Sequence, residues 1–257
     1  MDLSHVAILA IVEGFTEFLP ISSTGHLILT SYLLGIGQTP FMKTFEIIIQ
    51  LGAILAVIFL YWRKLKRSYI LWKKIFIAFL PTAIIGFTLY RIVKDILLGN
   101  PLITLGAIFL GGIILIILEL LYKEKEYHVQ NVEEITYKQS VLIGLFQSLS
   151  LIPGVSRAAA TIIGALFLGA KRKSAVEFSF FLAVPTMITA STFEIIQSSF
   201  SLTTSEIQYL LIGFILSFFF ALLAIRFLLS FIQSHTFIPF GIYRILLAIV
   251  YASLLLK

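Results

Sequence analysis

The sequence contains no cysteine, and only 12% of its 257 residues are charged. Without cysteine, the chain forms no disulfide bond, no thiolate metal site and no cysteine nucleophile. Soluble domains are about a quarter charged, so the scarcity of charge excludes an ordinary soluble protein. P-loop, dinucleotide-binding and HExxH zinc motifs are also absent from the sequence. The chain is instead 59% hydrophobic, which predicts a helical integral membrane protein.

Six apolar segments are long enough to cross a bilayer, which requires about 20 residues. Four other apolar pieces are shorter or interrupted, and they occur as two pairs, each joined by a polar motif. We expect each pair to form a re-entrant hairpin, because irregular backbone at membrane depth is tolerated only inside protein or beside a wet cavity. The predicted spans are residues 45–62, 75–93, 101–122, 178–197, 207–230 and 238–256, and the short pieces are residues 3–19, 26–37, 140–152 and 158–170.

The order of one hairpin followed by three spans occurs twice, which predicts an internal repeat within a single membrane domain. The Ser-Ser-Thr run after Pro20 echoes the Val-Ser-Arg run after Pro153. Three spans is an odd number, so the second repeat must insert upside down. The predicted fold is therefore an all-α polytopic membrane protein with an inverted-topology repeat. The predicted boundaries are 1–257 for the domain, 1–122 for repeat one, 123–138 for the linker and 139–257 for repeat two.

Basic residues set the orientation of the chain. Six of them crowd between residues 63 and 74, which predicts a cytoplasmic loop there. Propagation from this loop places residues 198–206 outside and lets the two hairpin tips meet near the midplane. The net charge of +6 is therefore assigned to topology and to an anionic membrane surface rather than to nucleic acid.

The first polar motif, EGFTEFLPISSTGH, begins with Glu13 and Glu17, which share a helix face because they are four residues apart. Two carboxylates in a low dielectric do not both ionise cheaply, so one keeps a proton or a cation lies between them. Either arrangement suits phosphoryl chemistry, with a divalent cation such as Mg²⁺ or Ca²⁺ or with a general acid beside a base. The alternative is a hairpin at the water interface with solvated acids.

The same motif continues with Ser22, Ser23, Thr24, Gly25 and His26 after the proline break. A half-helix that begins here points unpaired amide groups at an anion. A hydroxyl is a candidate nucleophile, and the histidine can move a proton or attack phosphorus itself. The alternative is an N-cap cluster followed by a core histidine.

The second polar motif, PGVSRAAAT, contains Ser156 and Arg157. An arginine at membrane depth needs an anionic partner, and its planar guanidinium matches phosphate. The alternative is a structural ion pair with a glutamate of the first motif. Thr161, one turn later, is a weaker candidate.

Three residues outside the motifs complete the prediction. Gln50 and Glu46 lie near the outer start of one span, where they would support the first hairpin, although a plain interface position suits Glu46 equally well. Arg244 lies a few residues into the last span, and we interpret it as snorkelling to the cytoplasmic interface.

The two motifs, together with FEIIIQLGA from Phe45 to Ala53, resemble the signature segments of the bacterial undecaprenyl-diphosphate phosphatase family of the bacitracin-resistance type. The resemblance covers nearly the whole chain. It implies a multi-pass enzyme of the bacterial inner membrane that removes one phosphate from undecaprenyl diphosphate, with a site open to the outer face and a divalent cation. By motif, the resemblance implies that the catalytic residues are Glu13, Glu17, Ser23, His26 and Arg157. It implies that Glu13 and Glu17 also bind the metal.

One departure from the family pattern lies beside the arginine. The family usually reads PGxSRSGAT, and here Ala158 and Ala159 replace the Ser-Gly pair. The residues leave open whether Ser23, His26 or an activated water attacks the phosphorus. The competing function is a polyprenyl-phosphate flippase or secondary transporter on the same scaffold. A polyprenyl diphosphate lipid is the expected substrate, and a homodimer is a further expectation.

Overall fold

The secondary structure is almost entirely helical in the computed structural model, which describes residues 1–97, 100–197 and 202–255. Short π-helical and 3₁₀ turns occur at Val93–Leu97, Val132–Glu134 and Leu149–Leu151. The α-helices are α1 Leu3–Thr16, α2 Ser23–Leu33, α3 Pro40–Arg67, α4 Tyr69–Thr88, α5 Tyr90–Ile92, α6 Pro101–Leu121, α7 Tyr137–Ser148, α8 Arg157–Phe167, α9 Arg172–Gln197, α10 Thr204–Phe231 and α11 Ile238–Leu255.

Five of the helices, α3, α4, α6, α9 and α10, are long and apolar enough to cross a membrane. They correspond to five of the six predicted spans and confirm a polytopic all-helical membrane protein. Helices such as α3 and α4 extend beyond the starts of the predicted spans, because polar capping residues determine where they begin and end. Thr39 is the N-cap of α3, and Ser68 is both the C-cap of α3 and the N-cap of α4. The sixth predicted span, 238–256, corresponds to the shorter α11, and its residue 256 lies outside the described residues. The same holds for residues 198–201 of the predicted outer segment.

The four short apolar pieces form two helical hairpins. The first hairpin is α1 with α2, and the second is α7 with α8. Each second helix begins after a serine with φ of 72°, Ser22 for α2 and Ser156 for α8, and each serine Oγ accepts a hydrogen bond from the amide three residues later. They are the only non-glycine residues with positive φ in the described part of the chain. The backbone thus pairs Ser22 with Ser156, whereas the sequence echo had aligned Ser23 with Ser156.

Each hairpin packs against a long helix from the other half of the chain. Helix α10 contacts α1 and α3, while α4 contacts α7 and α9, and α6 pairs with α11. Glycine allows the close approach: a Cβ on Gly14 of α1 would lie 2.6 Å from the carbonyl oxygen of Ser217, and one on Gly144 of α7 would collide with the carbonyl of Ala78. Small residues are the usual means by which membrane helices come together.

A buried carboxylate fixes three helix ends on the side of the basic loops. Glu119, near the end of α6, accepts hydrogen bonds from Arg172 Nε at 3.0 Å and Nη2 at 2.6 Å. It also accepts one from the backbone amide of Phe237 at 3.0 Å, just before α11. The segment between α6 and α7 is anchored nearby, because the Val129 backbone pairs with that of Ala170. The ends of α6, α9 and α11 are therefore held in register.

Candidate active site

The tip of each hairpin is the turn where its two helices join, α1 with α2 and α7 with α8, together with the first residues of the second helix. The two tips are in contact at Glu17. Its Oε1 lies 3.0 Å from Nη2 of Arg157 on the second hairpin. Its Oε2 accepts a hydrogen bond of 2.5 Å from the hydroxyl of Ser23, the first residue of α2. Glu17 and Ser23 are both buried, and the guanidinium is largely so. One carboxylate thus joins a candidate nucleophile to a cation from the other half of the chain.

Glu13 lies one helical turn before Glu17 on α1 and is fully buried. Among the described residues, neither of its carboxylate oxygens has a hydrogen-bond partner. An ionised carboxylate without a partner is expensive to bury, so Glu13 holds a proton or binds a cation. No group of three or more His, Asp or Glu side chains forms a ready metal site in the described residues. A cation here would take its other ligands from water and phosphate, as Mg²⁺ commonly does.

Arg157 is held from two sides, while its Nε–H has no partner among the described residues. Its Nη1 donates to the carbonyl oxygen of Ser179 on α9 at 2.8 Å and to its hydroxyl at 3.3 Å. The hydroxyl of Thr161 bonds the same Ser179 hydroxyl at 2.5 Å. The buried Nε of Arg157 has no partner among the described residues. The guanidinium is therefore fixed in place with an N–H left for a further acceptor, and Ser179 is a support that the sequence did not reveal.

Both ring nitrogens of His26 form hydrogen bonds with groups other than the Ser23 hydroxyl. Its Nδ1 lies 2.7 Å from the carbonyl oxygen of Ser22, so Nδ1 carries the hydrogen. Its Nε2 lies 2.7 Å from the hydroxyl of Tyr243 on α11. The hydroxyl of Ser23 points to Glu17 instead. This geometry favours Glu17 over His26 as the group that accepts the serine proton.

Comparison of the sequence with known proteins identifies the family of this chain. The family model described as "Bacitracin resistance protein BacA" matches residues 6–250. The chain belongs to the BacA family. It is 52% identical over 251 residues to an undecaprenyl-diphosphatase of Sulfurihydrogenibium sp. (strain YO3AOP1), with 98% of each chain covered. It is 51% identical over 252 residues to one of Aquifex aeolicus, again with 98% of each covered. A third, from Wolinella succinogenes, is 50% identical over 251 residues, or 98% of this chain and 97% of that protein.

The remaining predicted residues of this BacA-family chain differ in their placement. Gly25 is buried against Ile108 of α6, where a Cβ would lie 2.5 Å from the Ile108 side chain. Thr24 is exposed, and Gln50 is half-buried on α3. Among the described residues, no hydrogen bond joins Gln50 to either tip. Thr24 and Gln50 thus stay predictions without a contact that ties them to the cluster at Glu17.

The interpretation of Arg244 as a snorkelling residue is wrong. Arg244 is fully buried, and its guanidinium donates five hydrogen bonds of 3.0–3.2 Å to backbone carbonyls. Within the described residues, no carboxylate pairs with it. Both tips and α6 are thereby joined to α11. The accepting carbonyls belong to Pro20 of the first tip, Gly154 and Val155 of the second, and Ala107 and Ile108 of α6.

The burial of Arg244 is foreshadowed in the sequence by glycines on α6 and α11, the two helices that pack together beside it. A Cβ on Gly112 would lie 2.7 Å from the carbonyl oxygen of Gly241 and 3.0 Å from Cβ of Arg244. Small residues spaced along two membrane helices indicate close packing. An arginine three residues after Gly241 could therefore have been placed between helices rather than at the interface.

Proposed function

We propose that this BacA-family protein hydrolyses undecaprenyl diphosphate to undecaprenyl phosphate and inorganic phosphate, as the names of its relatives state for those proteins. The reaction regenerates a lipid carrier for envelope polymers. The observation that carries the proposal is the buried contact of Ser23, Glu17 and Arg157 across the two tips. It combines a nucleophile, a proton acceptor and a phosphate-binding cation at one point.

In the proposed mechanism, Ser23 attacks the terminal phosphorus. The Oγ–P bond forms, the P–O bond to undecaprenyl phosphate breaks, and the serine proton passes to Glu17 Oε2. Water then attacks the phosphoserine and gives a proton to Nε2 of His26, while the bond between phosphorus and Ser23 Oγ breaks and Oγ takes back the proton held by Glu17. Inorganic phosphate is released, and His26 passes its proton to solvent. The 2.5 Å bond between Ser23 and Glu17 supports this order of roles, since a nucleophile and its base must lie within hydrogen-bond reach.

The phosphate groups would be held by Arg157 and by helix N-termini. The Nε of Arg157, which has no partner among the described residues, would supply one donor. The first amides of α2 and α8, which begin in the same way after Ser22 and Ser156, would supply others. Donors aimed at the developing charge stabilise the transition state. The diphosphate would thus bridge the two tips.

We propose that a divalent cation binds at Glu13, with Glu17 one helical turn away. The orphaned buried oxygens of Glu13 support this proposal, and such an ion would neutralise charge on the phosphates. We expect Mg²⁺ to raise the melting temperature of the purified protein and Glu13→Gln to abolish that rise. Thermal unfolding with and without a chelator measures this independently of turnover. An equal rise in Glu13→Gln would exclude Glu13 as a ligand.

The proposed architecture is an inverted repeat with re-entrant hairpins. It is supported by the matching serines at the two tips, Ser22 and Ser156, and by the reciprocal packing of α10 on the first hairpin and α4 on the second. The basic loop at 63–74 supports a site that opens to the outer face. Impermeant labelling of Lys66→Cys in intact cells would contradict this orientation.

The same reciprocal packing favours a second function, a flippase or secondary transporter, because such proteins are built from inverted repeats. An enzyme turns over in detergent without a gradient, and a transporter does not. The test is therefore phosphate release from a prenyl diphosphate by purified protein in detergent. We expect turnover in the wild type and its loss in Ser23→Ala. Ser140→Ala is a matched control, because the hydroxyl of that buried serine, among the described residues, donates only to the carbonyl of Thr136 at the start of its own helix, α7. Absence of phosphate release from the wild type would leave the transporter as the better proposal.

A further inference from the structure

Tyr243 of α11 is the residue that holds His26 from outside the hairpins. Its hydroxyl lies 2.7 Å from Nε2 of His26, and the two rings stack with an interplanar angle of 3° and centroids 5.5 Å apart. The two residues are 217 positions apart in the sequence, so the contact is created only by the tertiary fold. Neither sequence motif contains Tyr243.

The hydrogen bonds of His26 fix its proton and its role. The carbonyl of Ser22 can only accept, so Nδ1 is the donor of the 2.7 Å bond to it. In the neutral ring, Nε2 then carries the lone pair and accepts from the hydroxyl of Tyr243. Nε2 is consequently the ring nitrogen that can exchange a proton during the reaction, and Tyr243 determines where it points.

The placement of Tyr243 on α11 is rigid. Its neighbour Arg244 donates five hydrogen bonds to the tips and to α6, which anchor α11 at this point. Tyr243 is 43% exposed, and Ile242 and Leu246 beside it are exposed as well. A tyrosine on this half-exposed face of α11 has room to direct its hydroxyl outward, yet the hydroxyl lies against the buried imidazole.

We propose that Tyr243 is a positioning residue that orients the His26 imidazole, with Nε2 directed along the bond to its hydroxyl. This inference rests on the proposed phosphatase function for its effect on turnover. The orientation of His26 itself is independent of that function. Tyr243 acts through His26 and does not itself have to touch the substrate.

The first experiment observes the imidazole directly. Nitrogen-15 spectra of histidine-labelled protein in detergent, assigned through loss of the signal in His26→Ala, report on both ring nitrogens. In Tyr243→Phe we expect the Nε2 signal to move to that of an unbonded imine nitrogen, while the Nδ1 signal stays. Tyr251→Phe is the matched control, two turns further along α11 and buried, and should change neither signal. An unchanged Nε2 signal in Tyr243→Phe would overturn the proposal, whether or not the protein hydrolyses the lipid.

The second experiment measures turnover of a prenyl diphosphate. We expect Tyr243→Phe to lower kcat by roughly tenfold, part of the ~10²–10⁴ that a positioned acid or base contributes, with KM and melting temperature unchanged. In a His26→Ala background the same substitution should cause no further loss. An equal loss in both backgrounds would contradict action through His26, as would normal kcat in Tyr243→Phe. Absence of phosphate release from the wild type would instead count against the proposed function and leave the nitrogen spectra to decide on Tyr243.

Discussion

The two hairpin tips use the same backbone geometry for different chemistry. Both second helices begin after a serine with φ of 72° and the same side-chain cap. The residue after that serine is Ser23 in the first tip and Arg157 in the second, and both contact the same Glu17. Where the first tip has His26, the second has Ala160. The two tips therefore have equivalent backbone geometry, and the candidate proton-handling groups lie in the first tip while the cation lies in the second.

The helices that lead into the tips differ in the same way. Glu17 follows Gly14 by three residues, and Gln147 follows Gly144 by three. Gln147 is fully buried, but its amide donates to the hydroxyls of Thr82 and Thr186 at 2.9 and 3.2 Å. A neutral amide in a satisfied network stabilises packing, whereas a carboxylate at the matching position is available for chemistry.

Exchange of the two matching side chains gives the largest expected effect. Glu17→Gln removes the acceptor of the Ser23 proton and the partner of Arg157, so we expect turnover to fall by the ~10²–10⁴ of a positioned base. The reciprocal change, Gln147→Glu, buries an unpaired carboxylate and should lower the melting temperature without lowering the turnover of folded protein. Phosphate release and thermal unfolding of both variants test the comparison. Equal effects of the two variants on turnover would refute the division of roles.

Arg157 gives the next largest effect and separates a phosphate clamp from a structural ion pair. Arg157→Lys keeps the charge but loses the planar fork, so a clamp predicts a fall in turnover of ~10²–10³ at nearly normal stability. A structural pair predicts instead that Arg157→Ala strands Glu17 and costs about 3–5 kcal/mol. Turnover and melting temperature are measured for both variants, with the exposed Arg226→Lys as control. Near-normal turnover in either Arg157 variant would exclude the clamp.

Loss of Arg244 should disturb both tips together. Lysine has three donors where arginine has five, so Arg244→Lys leaves backbone carbonyls unpaired at about 1–3 kcal/mol each. We expect melting temperature and turnover to fall in step, unlike the effect of Arg157→Lys. The measurement is thermal unfolding beside phosphate release. A normal melting temperature in Arg244→Lys would show that the tips hold together without the five bonds.

The smallest effect is expected from restoring the usual family sequence beside Arg157. Ala158 and Ala159 are buried in the first turn of α8, where the Ala159 amide donates to Ser156. Ala159→Gly keeps that amide and costs about 1 kcal/mol through helix propensity. The double variant Ala158→Ser, Ala159→Gly should leave KM unchanged and lower the melting temperature slightly. A large gain in turnover would instead show that the alanines limit the reaction.

The sequence predicted the breaks in the hairpins because they depend on local chemistry. Pro20 and Pro153 interrupt apolar runs, and α2 and α8 begin three or four residues after them. The partner of Arg157 could not be chosen in this way, because Glu13 and Glu17 share one helix face. Only the position of the second hairpin decides that Glu17 is the nearer.

Arg244 and Tyr243 escaped prediction for a different physical reason. The carbonyls that surround Arg244 converge from residues as distant as Pro20 and Gly154, and this convergence exists only after both hairpins have docked. A residue whose partners are backbone atoms leaves no complementary side chain in the sequence, such as a carboxylate, to reveal it. The partner of Tyr243 is His26, which lies 217 positions earlier in the first hairpin. Nothing in the sequence near either residue indicates that they come into contact.

The choice of carbonyl oxygens as acceptors for Arg244 has a consequence for how the tips can evolve. A backbone carbonyl is present whatever side chain its residue bears, so substitutions at positions such as Val155 or Ala107 leave their hydrogen bonds to the guanidinium intact. The joint between the halves is thus insulated from sequence drift at its accepting positions. Loss of the Arg244 guanidinium itself removes all five bonds at once, whereas its glycine neighbours Gly112 and Gly154 are constrained by the space available to them and not by hydrogen bonds of their side chains.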